Sequence, residues 1–102
     1  MANKDRNGCS FSYATIEAVW RKALAVPGHN PRDIRKDLCG AWIKRSHYGN
    51  TDSDFGWEVD HVWPATLGGT DGLSNVQPLH WQNNRKKADS VSGNFCAVVA
   101  YQ

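Results

Sequence analysis

The stretch "GWEVDHVWP", residues 56–64, decides how this chain is read. Trp57, Val59 and Val62 give it the apolar rhythm of a strand, and Asp60 stands directly beside His61. Pro64 then forbids further ladder pairing. On a regular strand, neighbouring side chains point to opposite faces. A carboxylate and an imidazole in adjacent positions can converge only where the strand ends and bends, which Pro64 and the following glycines announce.

Downstream, "PATLGGTDGLSN" (64–75) is a turn-rich loop with three glycines, and "VQPLHW" (76–81) is a short extended segment. Pro78 argues for an edge position or brief pairing there. "QNNRKKAD" (82–89) has the composition of a polar helix anchored by Trp81. The second half therefore reads strand, loop, strand, helix, over a motif core of residues 57–89. Four polar residues stand at the joints: Asp60, His61, Asn75 and Asn84.

Upstream, residues 1–10 are polar and read as flexible. From Ser12, a plausible N-cap, Ile16, Val19, Trp20, Ala23 and Leu24 recur at helical spacing, and "VPGHNP" (26–31) ends that helix. Asn30-Pro31 reads as the cap and first residue of a second helix with Ile34 and Leu38 facing inward. A short strand is expected at Ala41–Lys44, and a last one in "FCAVVAY" (95–101). With 102 residues, 40% of them hydrophobic, the chain is expected to be a single α+β domain.

The formal net charge is only +2, but it is unevenly spread. No Lys or Arg lies between Ser46 and Asn84, where Asp52, Asp54, Glu58, Asp60 and Asp71 fall. Arg32, Arg35, Lys36, Lys44 and Arg45 precede that stretch, and Arg85, Lys86 and Lys87 follow it. An acidic centre between basic flanks suits a cation site set against a polyanion, with ordinary solvated charge as the bland alternative. Cys9, Cys39 and Cys96 form no C-x-x-C pair. They are read as reduced, partly buried residues; a Cys39–Cys96 contact, or a mixed site with His47 or His80, stays open. No apolar run matches a membrane span, and the N-terminus lacks a signal-like stretch, so the expected location is cytoplasmic with no membrane partner.

"EVDHVWP…LGGTDGLSNVQPLHWQNNRKKAD" resembles the HNH endonuclease motif, whose fold is the ββα-metal finger. The resemblance covers about a third of the chain. His61 matches its first residue, Asn75 its middle Asn, Asn84 its third position and Asp60 the preceding acid. Many HNH proteins bracket the finger with paired zinc cysteines. Here the second pair's positions hold His80 and Asn83, so no structural zinc is expected, and tryptophans and N-terminal helices are expected to hold the core. An Asn at the third position also resembles the HNH domain of RNA-guided nucleases.

The resemblance implies a metal-dependent endonuclease acting on DNA, expected to be double-stranded. It makes His61 the general base, Asp60 and Asn84 the ligands of one divalent ion (Mg²⁺, with Mn²⁺ able to substitute), and Asn75 a catalytic-loop brace. Arg85, Lys86 and Lys87 are expected to meet DNA phosphates. His80 is read as packed, with an auxiliary ligand as the alternative. His29 and His47 are read as surface residues, and Trp57, Trp63 and Trp81 as core around the finger and not as base-stacking platforms. The rival reading is a nucleic-acid-binding module that keeps the finger and cuts little or not at all.

Overall fold

Ser12 opens the first helix as its sequence position predicts: its backbone is extended, and its hydroxyl accepts from the Thr15 N–H at 3.2 Å. This helix, α1 (Tyr13–Trp20), buries Val19 and Trp20 with Ile16 beside them. The structure, a computed structural model, describes residues 2–91 and 93–99. α1 stops at Trp20, well short of the expected end. Leu24 does not join its buried face; it belongs to strand β1 (Leu24–Ala25) and is 55% exposed.

The second expected helix is absent. Asn30 does start a turn, with its side chain accepting from Arg32 N–H and its carbonyl from Ile34 N–H. The chain then straightens into β2 (Ile34–Lys36), the central strand of an antiparallel three-stranded sheet with β1 and β3 (Trp42–Lys44). Arg35 faces inward, capping the carbonyls of Pro31 and Ala23 at 2.9 Å and lying over the Trp20 ring. Strand pairing on both edges outweighs a local helix cap, and Leu38 stays exposed.

Strand β4 (Trp57–His61) pairs antiparallel with β5 (Val76–His80), and helix α2 (Trp81–Lys87) follows β5 without a gap. Pro78 fits because a two-stranded sheet consists only of edges. Trp57 and Val59 enter the core with Phe11, Val19, Trp20, Ile43 and Val76. The Trp57 ring packs 5.1 Å from Trp20 and 5.0 Å from Tyr48. The molecule is thus an α+β domain of two helices and two small antiparallel sheets.

A buried carboxylate joins the halves. Asp37 Oδ1 accepts from the N–H groups of Cys39 and Ala41, and its Oδ2 from His80 N–H and Asn83 Nδ2. Asn83 in turn exchanges two hydrogen bonds with the Val98 backbone. Close by in sequence, Cys39 is bonded to Cys96, which corrects the reading of these two as reduced thiols; Cys9 is free and exposed. Residues 95–99 follow this clasp as coil and not as the expected strand, while Ala100 and Tyr101 lie outside the described residues. No helix among the described residues is long and apolar enough to cross a membrane.

Candidate active site

Asp60 and His61 do not need a bend to meet at one place. β4 runs straight through both, pairing Asp60 with Gln77 and His61 with Val76. Following the alternation of a strand, Asp60 is engaged by Gln77 and α2, while His61 lies against Phe11 and the β4–β5 loop. Both nevertheless line one cleft of about 220 Å³, together with Asn84, Arg85, Pro64 and Ala65.

His61 is 7% exposed, and its Nε2 lies 2.8 Å from Asp71 Oδ1. A carboxylate only accepts, so Nε2 carries the shared hydrogen and Nδ1 is the basic nitrogen. Asp71 comes from the loop ten residues on, and the same oxygen accepts from Arg6 N–H at 2.9 Å. This carboxylate orients the ring. Asn75 fixes the loop that carries it. Its Oδ1 accepts from Trp63 N–H, and its Nδ2 donates to the carbonyls of Trp63 and Thr70 at 3.1 and 2.8 Å. Asn75 thus braces the turn and does not reach into the cleft lining.

Asp60 is buried between two donors. Gln77 Nε2 gives a 2.9 Å hydrogen bond to Oδ2, and Lys87 Nζ lies 3.2 Å from Oδ1. Burial holds the Asp60 carboxyl above its ordinary range, against the opposing pull of the Gln77 hydrogen bond, Lys87 and His61. Asn84 gives its amide nitrogen to Glu58 Oε1 at 2.9 Å, which leaves Oδ1 as the atom for a ligand. One carboxylate and one amide oxygen in a polar cleft suit a hard divalent ion that keeps most of its waters and takes substrate oxygens. The two donors therefore fit such an ion, although the Lys87 ammonium already neutralises part of the Asp60 charge. Among the described residues, no group of three or more His, Cys, Asp or Glu gathers around a common point.

The basic residues of α2 divide three ways. Lys86 is exposed. Arg85 forms a bidentate pair with Glu58, at 2.8 and 2.9 Å, and is 45% exposed at the cleft. Lys87 is turned inward, 4% exposed, donating to the His61 carbonyl at 2.8 Å as well as facing Asp60. It belongs to the buried site and not to the helix surface on which it was expected.

Gln77, the inward role of Lys87, and the contacts that Glu58 and Asp71 make with Asn84, Arg85 and His61 escaped the sequence reading, which placed the two acids only in a general acidic centre. Two signals were present: Glu58 is two residues from Asp60 on one strand face, and Lys87 is three residues from Asn84 on one helix face. Asp71 and Gln77 are brought in by loop path and register alone. His80 is packed, 1% exposed, with Nδ1 accepting from Gln82 N–H and Nε2 donating to the Asp54 carbonyl. Both its ring nitrogens are thereby in use. Of the tryptophans read as core, Trp57 is buried and Trp63 is half-exposed. The N-terminal segment read as flexible is attached: Asn3 Oδ1 accepts from Val59 N–H and Tyr48 O–H, and Ala2 and Asn3 form part of the cleft wall. Comparison with family models, curated proteins and solved structures gave no match to this chain.

Proposed function

We propose that this chain is a metal-dependent DNA endonuclease of the HNH type, and that β4, its loop, β5 and α2 form a ββα-metal finger. The observation that carries the reading is a histidine pinned by a carboxylate, with Nδ1 as its basic nitrogen, sharing one cleft with a carboxylate and an amide oxygen. Hydrolysis here would form a bond from water oxygen to phosphorus and break the bond from phosphorus to the 3′ oxygen, leaving a 5′-phosphate and a 3′ oxygen that takes a proton from solvent to become a hydroxyl. His61 Nδ1 takes the proton from the attacking water, and Asp71 stabilises the resulting imidazolium. Asp60 and Asn84 would hold the divalent ion, which when bound neutralises charge on the phosphate and on the departing oxygen. Asn75 keeps the loop, and with it Asp71, in place. Arg85 and Lys86 stand at the cleft and on the helix surface to meet flanking phosphates.

The binding-only alternative draws on one observation: Lys87 already pairs with Asp60, as a resident cation would. Conversion of supercoiled plasmid to nicked circles separates the two. Cleavage that requires added Mg²⁺ or Mn²⁺ and stops in chelator supports the nuclease. Tight DNA binding without nicking under any divalent ion selects the alternative.

A further inference from the structure

Trp63 stands two residues after His61 and is 50% exposed, yet each of its hydrogen-bonding groups is already used. Its N–H donates to Asn75 Oδ1 at 2.9 Å, its carbonyl accepts from Asn75 Nδ2 at 3.1 Å, and its indole Nε1–H donates to the Leu67 carbonyl at 3.0 Å. The surface it presents is therefore hydrocarbon and π-face. The turn beneath it is tight: Gly68 sits at φ +94°, and a Cβ on Gly69 would come within 1.7 Å of the Trp63 carbonyl. The next two residues, Pro64 and Ala65, line the cleft beside Asp60 and His61.

We infer that Trp63 is a stacking platform for a DNA base left unpaired, at a strand end or where the duplex opens, next to the phosphate bound at the cleft. The inference rests on the nucleic-acid reading above and deepens it by naming how the substrate strand is positioned. Trp63 joins directly to Pro64 of the cleft wall, which places the residue at the edge of the cleft where a phosphate would bind. A protein partner is the poorer fit, because four exposed apolar side chains, Val62, Trp63, Leu67 and Leu73, fall short of the area of a stable protein interface. With its polar groups internally satisfied, the ring recognises a base by its face, tolerating any sequence.

The test measures binding of a dye-labelled oligothymidylate, and of a length-matched abasic oligomer carrying the same phosphates, in chelator so that nothing is cut. Trp63→Ala should weaken oligothymidylate binding at least about 5-fold. Its salt slope should stay unchanged, since no phosphate contact is lost. The abasic oligomer should bind Trp63→Ala and wild type alike. Trp63→Phe should restore most of the loss, and Trp63→Leu, which keeps apolar bulk without a ring, should not. Wild-type affinity of folded Trp63→Ala or Trp63→Leu for oligothymidylate overturns the inference, as does an equal loss on the abasic strand. A wild-type chain that binds and nicks DNA while Trp63→Ala matches it overturns this inference alone. A wild-type chain that binds no nucleic acid overturns the functional reading together with it.

Discussion

Asp60 carries opposing demands: burial makes it resist ionisation, yet the proposed ion site would need its charge. Because its folded pKa is raised, the folded chain keeps a proton that the unfolded chain releases near pH 4. Its contribution to stability is therefore greatest below that pH and declines as pH rises toward the folded value. Denaturant titrations of wild type and Asp60→Asn from pH 3 to pH 7 should show wild type losing stability relative to the variant as pH rises. A relative gain would mean that Lys87 and Gln77 outweigh burial. The Asp60–His61 pair was legible because two chemically distinctive residues adjoin at a strand's end. Asp71 was not legible, since the hydrogen bond to His61 depends on the path of a ten-residue loop that composition does not encode.

At the scale of elements, α2 turns Lys86 to solvent and Lys87 to the interior. Lys86 should act through phosphates, so Lys86→Ala should lower the salt slope of DNA binding by about 1. Lys87→Ala removes the partner of a buried carboxylate and should cost about 3–5 kcal/mol of stability in denaturant titration. Equal behaviour of the two variants would place both on the solvated surface. The helix itself was readable from polar composition and Trp81, and β4 and β5 from apolar rhythm. β2 was misread because Asn30-Pro31 imitates a helix start, whereas the deciding interactions are ladders to β1 and β3, which lie beyond one helical turn on either side. The end of α1 was misread for the same reason, since Leu24 pairs with Lys36.

Taken whole, the molecule fastens its first half to its end by the Cys39–Cys96 bond and by the Asp37–Asn83–Val98 clasp. Closing a loop of 57 residues' separation is worth about 4 kcal/mol in the chain-entropy picture. Thiol titration of the unfolded, unreduced chain should find only Cys9, and reduction should lower the stability by up to that amount. Three titrating thiols before reduction would show the bond unformed. With the scaffold held in this way, two adjacent residues take separate tasks in the proposed reaction: His61 would prepare water, and Asp60 would hold the ion. Plasmid nicking and calorimetric Mg²⁺ binding, measured together on folded His61→Ala and Asp60→Ala, test this division of tasks most directly. His61→Ala should retain the ion and lose about 10²–10⁴-fold in nicking rate, partly regained as pH is raised. Asp60→Ala should lose ion affinity itself. Nicking by His61→Ala at the wild-type rate would contradict the account, and so would ion binding that depends on His61 and not on Asp60.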